Sequence, residues 1–431
     1  MDRLRDHRAR AAHPRAPRRG GRRRRGDEAL DLGQGEGERA VPGDPARDRS
    51  VPRADRPPVP GRVRDDRRRR HHGRVRGGVP RAVPGRPHGR PRPLTRVPGD
   101  PVLVTGGTGV VGRAVVERLI GAGREVRGLA RSDAAASALV ELGAGVMRGD
   151  VLDPPSLRRA MDGVATVFHV AGVNAMCLRD PSPMYRVNVE GSANVVRAAA
   201  EAGVGCVVHT SSAAAIGEAR GTVGREDSPH RGSYLSHYER SKRLSERRVL
   251  ELAADLGVRA IAVLPASVQG PGRTTGSARL LLDAVSGRLP AMVETTISLV
   301  DVADCAEGHL LAEAHGEDGE RYLLSGATLT TREAVELLRR LWGRPERVRW
   351  LPRWTAVAVG EAAEAAGRLA RRDLPVCREV VRTLLHGHRY EGSKAERKLG
   401  LRYTPLEETI GRTLTWYADR GLAPPRLGAG T

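Results

Sequence analysis

The segment Pro101-Val-Leu-Val-Thr-Gly-Gly-Thr-Gly-Val-Val-Gly112 constrains this chain more than any other. Three apolar residues, Val102 to Val104, run straight into a glycine turn. Apolar residues then recur at helical spacing from Val110 to Ile120. A short apolar run leading without pause into an amphipathic run predicts a strand, a tight turn and a helix. The glycines fall as G-x-x-G-x-x-G at Gly106, Gly109 and Gly112. The first two permit a tight turn and close approach of backbone to a pyrophosphate. The third lets the helix lie against the strand, and the helix N-terminus favours the anion. The segment therefore predicts the first unit of a nucleotide-binding α/β fold.

The chain beyond Gly112 continues that pattern. Strands are expected at Glu125–Leu129, Gly145–Arg148, Thr166–Val170, Cys206–Thr210 and Arg259–Leu264, with helical segments between them. Strand and helix alternating at this spacing imply βαβ units and a parallel sheet. The second strand ends Gly128-Leu-Ala-Arg131-Ser, with no acid to hold a ribose 2′-hydroxyl. A guanidinium there can grip a 2′-phosphate, so Arg131 favours NADP over NAD, with NAD still possible. Asp150-Val151 comes after the third strand, where an acid can reach the adenine amino group. Val170-Ala171-Gly172 closes the fourth with small residues that let backbone lie along the cofactor. His169, just before them, reads as a hydrogen-bonded core histidine rather than a catalytic one.

Composition separates the first hundred residues from the rest. They hold 29 Arg, no Lys and 13 acids, +16 of the chain's +22, and no Ile, Phe, Tyr, Trp, Asn or Cys. With so little to bury, no packed domain is expected over residues 1–99. Three readings of that stretch stay open. The first is translation of GC-rich DNA in an unselected frame, hence a start placed too early. The second is a disordered Arg/Pro/Gly-rich tail. The third is an arginine contact to nucleic acid, disfavoured because no aromatic is present to stack on a base. Residues 101–431 carry only +6, so the charge balance gives no reason to expect nucleic acid as a partner of the folded part.

The four cysteines, Cys177, Cys206, Cys305 and Cys377, are widely dispersed with no C-x-x-C pair. They predict neither a metal cluster nor a disulfide framework, and they suit a reducing, cytoplasmic setting. No metal site is read from the sequence. No apolar run reaches the ~18 residues a membrane span needs.

Tyr238-Glu-Arg-Ser-Lys242 puts a phenol and an ammonium on one face of a helix. A tyrosine near its free pKa of ~10 is a weak acid–base group at neutral pH, and a neighbouring cation favours its ionised form. Upstream, Thr210-Ser211-Ser212 closes the fifth strand, where a hydroxyl could donate to a substrate carbonyl. Together these side chains compose a hydride-transfer site in which Ser212 polarises, Tyr238 moves the proton and Lys242 tunes it. With seven Tyr and three Lys in the chain, a Tyr-x-x-x-Lys match arises by chance about 0.05 times. Arginine supplies 70 of the 73 basic residues, which makes a lysine at that place more telling still.

From about residue 101 to 422 the chain resembles the extended short-chain dehydrogenases/reductases, the NAD-dependent epimerase/dehydratase group. The resemblance is carried by Thr105 to Gly112, Asp150-Val151, His169-Val-Ala171, Asn188-Val-Glu-Gly-Ser-Ala-Asn194, Ser211-Ser212 and Tyr238-x-x-x-Lys242. Within the group, Ser298 to Asp304, Gly319 to Gly326 and Gly392 to Gly400 look most like the dihydroflavonol-reductase-like and hopanoid-associated sugar-epimerase-like branch. The resemblance implies a catalytic set of Ser212, Tyr238 and Lys242. It implies a cofactor lined by Thr105, Gly106, Gly109, Val110, Val111, Gly112, Arg131, Asp150, Val151, Val170, Ala171, Asn188, Tyr238, Lys242 and Pro265. Asn188 is expected near the active site or as a helix anchor. A homodimer through helices around Pro181–Ala202 and Tyr234–Leu256 is also implied. After the sixth strand the family pattern is Arg-Pro-x-x-Val-Tyr-Gly-Pro-Gly, and here Gln269 stands at the tyrosine position, on the substrate side in relatives.

The fold expected is α/β: a Rossmann-type doubly wound parallel sheet over residues 100–265 and a smaller, mainly helical substrate lobe over residues 266–431. Short strands near Ile297–Val300 and Arg321–Leu324 and helices at Ala303–Ala314, Arg332–Leu341 and Leu406–Tyr417 are assigned to the second lobe. Trp342, Trp350 and Trp354 are expected in the core more than at a ligand. The function expected is hydride transfer between a nicotinamide and a carbonyl/alcohol pair. The alternatives are a nucleotide-sugar epimerase/dehydratase with bound NAD, or a non-catalytic NADP-sensing or nucleic-acid-binding protein.

Overall fold

A computed structural model describes residues 101–425 apart from residues 290 and 344–346, so every expectation placed on residues 1–99 lies outside the described residues. Strands β1 (Val102–Thr105), β2 (Val126–Ala130), β3 (Gly145–Arg148), β4 (Thr166–His169), β5 (Cys206–Thr210) and β6 (Arg259–Pro265) fall within a residue or two of their expected bounds. They alternate with helices α1 (Val110–Gly121), α2 (Asp133–Glu141), α3 (Pro154–Ala160), α4 (Ser182–Tyr185), α5 (Ser192–Glu201) and α6 (His237–Leu256). The later strands are β7 (Ser267–Gln269), β8 (Ala291–Val293), β9 (Thr296–Asp301), β10 (Arg321–Leu324), β11 (Ala327–Thr330) and β12 (Arg349–Leu351). Between and after them run α7 (Ser277–Val285), α8 (Val302–His315), α9 (Thr331–Trp342), α10 (Arg353–Ala370), α11 (Arg378–His386), α12 (Ser393–Leu399) and α13 (Leu406–Asp419).

The main sheet has seven strands in the order β10-β6-β5-β4-β1-β2-β3, and all of its pairings are parallel. Its strand order reverses between β1 and β4, the switch point at which a doubly wound sheet opens a crevice for ligand. Helices cover both faces, so the inner strands read as continuous apolar runs. β1 is buried at every residue, and only Arg259 of β6 is not. Alternate residues feed two cores. Val102, Val104, Phe168, Val208, Ile261 and Val263 pack on one face with Val115, Leu119 and Leu139. Leu103, Val167, Val207 and Ala260 pack on the other with Leu157, Val196 and Val249.

Strand Arg321–Leu324 forms where the sequence places it, yet it joins the main sheet as a parallel edge strand on β6. Helix α8 lies on the same face as α1, joining Cys305, Ala306 and Ala312 to the core of the first lobe. Sheet pairing, which the local pattern of a four-residue strand does not encode, decides this. The C-terminal part keeps its own core of Leu282, Val285, Leu337, Leu338, Trp342, Ile410, Leu414 and Tyr417. A three-stranded sheet, β11-β9-β7, and a two-stranded one, β12-β8, complete it. Trp342 is core as expected, but Trp354 is 70% exposed.

One expectation about cysteine is corrected. Cys177 and Cys377 form a disulfide between residues 200 apart in sequence, with Cα atoms 5.6 Å apart. Folding brings the α10–α11 hairpin beside the loop after β4, and no spacing in the sequence foretells that neighbourhood. Cys206 and Cys305 are buried and unoxidised. No helix among the described residues is long and apolar enough to cross a membrane.

Candidate active site

The glycine turn folds as its spacing requires. Gly106 sits at φ +71°, and a Cβ there would lie 2.6 Å from Ala171 N. A Cβ on Gly112 would lie 2.1 Å from Gly106 O, so the third glycine permits the helix to approach the turn. Gly109 is the N-cap of α1 and offers no side-chain acceptor, so the first-turn amides around Val110 and Val111 keep their donors for an anion. This backbone cradle, without a side chain inside it, fits a dinucleotide pyrophosphate. Thr105 is buried behind the turn. Its Oγ1 lies 2.8 Å from His169 Nδ1 and accepts from Ala171 N at 3.2 Å, which ties β1 to the end of β4.

His169 is the core histidine anticipated. Its Nε2 lies 2.8 Å from Ser192 Oγ, and burial, aided by the Lys242 charge, pushes its pKa down to about 3. It is therefore neutral, with both ring nitrogens used inside the protein. Val170 and Ala171 remain half-buried on the crevice side. At the far end of the crevice, Arg131 is 72% exposed and its guanidinium lies 3.7 Å from the Asp150 carboxylate. The other Asp150 oxygen accepts from Leu152 N at 2.9 Å. Val151 is buried and its carbonyl accepts from Asn194 Nδ2 at 3.1 Å. Pro265 is buried at the last position of β6, opposite Leu324.

Asn188 lies in a π-helical turn, Arg186–Gly191, that leads into α5. Its carboxamide accepts from Val173 N at 2.7 Å, donates to Val173 O at 3.0 Å and donates to Ser241 Oγ at 2.9 Å. These three bonds pin the loop after β4 against α6.

Helix α6 begins at N-cap Ser236, whose Oγ accepts from Glu239 N at 3.1 Å. Two residues on, Tyr238 is half-buried, and one turn further Lys242 is buried. The neighbouring serines divide their work. Ser211 is buried and donates to Glu246 Oε2 at 2.5 Å, and Glu246 is in turn paired with Arg321 at 2.7 Å. Ser212 accepts from Ala214 N at 3.3 Å, and its hydroxyl is near enough to the Tyr238 phenol to act on its pKa. Tyr238 and Lys242 thus stand one turn apart on α6, and Lys242 reaches the end of the strand that Ser212 follows.

The electrostatics differ from the expectation. Burial raises the Tyr238 pKa, and the opposing influences are the Ser212 hydroxyl and the charge of Arg273. Lys242 donates to Thr210 O at 2.7 Å, and burial lowers its pKa from 10.5 to about 8 against the pull of Glu246. Arg273 escaped the sequence reading, because one arginine among 70 carries no signal in a loop. Its Nε is buried without a hydrogen-bond partner. Gln269 is buried with Nε2 donating to Ser267 and Ser277 at 3.3 and 3.2 Å, while its Oε1 has no partner.

Comparisons with known proteins give the family and the fold. The family described as "NAD dependent epimerase/dehydratase family" matches residues 102–325. A putative dihydroflavonol 4-reductase of Synechocystis is 30% identical over 331 residues, 75% of this chain and 96% of that protein. Sterol demethylase protein B of Methylococcus capsulatus is 32% identical over 74% of this chain and 99% of its own length. Among solved structures, that of gox2253 superposes with a TM-score of 0.67 at 33% identity, covering 75% of this chain and all of that one. A dTDP-glucose 4,6-dehydratase from Streptomyces venezuelae with NAD bound superposes at 0.61, but at 24% identity it speaks for the fold alone. The chain belongs to the NAD-dependent epimerase/dehydratase family and is an enzyme of its oxidoreductase and epimerase chemistry.

Proposed function

We propose that this enzyme is an NADP(H)-dependent reductase that interconverts a ketone and an alcohol on an apolar or partly apolar substrate. The arrangement that carries the reading is the Ser212 hydroxyl beside the Tyr238 phenol, close enough to act on its pKa, with Ser211 held away on Glu246. That pairing leaves one hydroxyl and one phenol free to act together on a single substrate oxygen. The bound nicotinamide supplies or accepts the hydride. Ser212 donates to the carbonyl oxygen and steadies the charge that gathers there. Tyr238 delivers the proton in reduction and takes it in oxidation. Burial holds the phenol protonated and ready to donate in reduction, an effect that Ser212 and the Arg273 charge only partly offset. Lys242 uses one of its three donors on Thr210 O and has two for the nicotinamide ribose. Arg131 turns from Asp150 to a 2′-phosphate, and Asp150 is released toward the adenine.

Reduction is preferred over sugar-nucleotide epimerisation because relatives at 30% identity or more across nearly their whole length include reductases, among them a 2-alkyl-3-oxoalkanoate reductase of Stenotrophomonas maltophilia. The test is steady-state reduction of a panel of alkyl and aryl ketones with NADPH. Tyr238→Phe is expected to lower kcat by about 10²-fold or more while NADPH binding, read by fluorescence, stays within about twofold. Turnover unchanged in that variant would remove Tyr238 from the mechanism. Arg131→Ala is expected to weaken NADPH about tenfold or more and leave NADH nearly untouched, since only the charge-assisted contact to the 2′-phosphate is lost. Equal losses for both cofactors would point to NAD instead.

A further inference from the structure

Outside the hydride-transfer site, the turn after Ile216 and the end of α11 meet in a cluster that the mechanism does not use. Gly217, at φ +66°, turns the chain so that the Glu218 side chain points inward, and Glu218 is 1% exposed. Helix α11 ends at His386, and Gly387 at φ +74° then reverses the chain so that His386 and His388 both face that carboxylate. Glu218 Oε1 lies 3.4 Å from His386 Nε2 and 2.7 Å from His388 Nδ1. The three potential ligand atoms lie within 4.8 Å of one another. Tyr390 Oη stands 2.9 Å from His388 Nδ1.

We propose that Glu218, His386 and His388 form a binding site for a divalent transition metal of the zinc class, which staples the α11 end to the turn beyond the Ser212 segment. Protein–protein hydrogen bonds leave the cluster incomplete. Glu218 Oε2 and His386 Nε2 are both buried with no hydrogen-bond partner. Each such orphan costs about 1–3 kcal/mol, and both belong to side chains of this one cluster, which points to a missing partner there. Two imidazoles and one carboxylate are a donor set that zinc takes, with bonds of about 2.0–2.2 Å. Tetrahedral ligands at that bond length stand roughly 3.3 Å apart, close to the Glu218–His386 separation. The shorter Glu218–His388 contact opens when the metal takes the place of their shared proton. The fourth position falls to Tyr390 Oη or a water, and the partly exposed His388 leaves a way in. Arg231 donates to Glu218 O at 3.1 Å, fixing the backbone behind the carboxylate. The sequence hides the site because Glu218 and His388 are 170 residues apart.

The test uses tag-free, full-length protein stripped with chelator and titrated with Zn(II) alone, read by calorimetry and by metal content after gel filtration. One zinc per chain and a rise in Tm on zinc addition are expected. His388→Gln should weaken binding at least tenfold and abolish the Tm rise. Zinc at His71 and His72 is separated by a chain with both replaced by Gln, which should bind as wild type does. The metal-free Tm of His388→Gln, close to that of metal-free wild type, verifies that the variant folds. Stoichiometric zinc that survives in His388→Gln and His386→Gln, or no zinc retained by wild type, overturns the proposal.

Discussion

Lys242 shows how much one residue's surroundings decide. Burial takes its pKa from 10.5 to about 8, so the ammonium is charged at neutral pH but loses its proton within reach of experiment. Because kcat/KM reports ionisations of the free enzyme, its profile for ketone reduction is expected to fall above about pH 8. A profile flat to pH 10 would contradict the lowered value. Stability has its own dependence. The folded pKa lies below the unfolded one, so between pH 8 and 10.5 the unfolded chain binds more protons and stability rises with pH. Tm measured across that window should move in favour of the wild type relative to Lys242→Met. The Tyr-x-x-x-Lys spacing and the paired serines were legible in the sequence because helical geometry alone sets one turn between Tyr238 and Lys242. That Ser212, and not Ser211, is left available beside the phenol depends on Glu246 capturing Ser211 at 2.5 Å, a contact across 35 residues.

At the scale of elements, the α10–α11 hairpin is the part that the sequence described least. It is fastened to the active-site side of the fold by several bonds. Besides the disulfide, Glu379 accepts from Cys177 N at 3.1 Å and from His237 N at 2.8 Å, one residue before Tyr238. Arg179 donates to Arg371 O at 2.8 Å and, through its amide, to Asp373 at 3.0 Å. Cys177 itself holds φ +62°, a conformation its side chain disfavours and the surrounding bonds enforce. A cross-link over so long a segment contributes roughly 2–4 kcal/mol. Cys177→Ser, or reductant added to the wild type, is therefore expected to lower Tm by several degrees with NADPH affinity retained. An unchanged melt would mean that the hydrogen bonds alone hold the hairpin. The strands and helices of the main sheet, by contrast, were legible almost to the residue. Their apolar periods are local, and turns such as that at Gly257, at φ +70°, punctuate them.

Across the whole molecule, the sheet pairings and cores of the described residues lie between Val102 and Ala423, and the relatives align over about three quarters of the chain. A chain beginning at residue 100 is accordingly expected to match the full-length protein in Tm and in NADPH affinity, measured side by side. A loss of several degrees on truncation would give residues 1–99 a role in the fold. The sequence by itself determined the doubly wound sheet, the glycine turn after β1 and the Tyr238–Lys242 turn, because each rests on short-range periodicity or on glycines that sterics demand. Only the tertiary structure decided that β10 joins the main sheet, that Cys177 meets Cys377, that Arg273 acts on the phenol, and that Glu218 meets two histidines. Those neighbours are chosen by which faces bury together, and that choice is made over the whole chain at once.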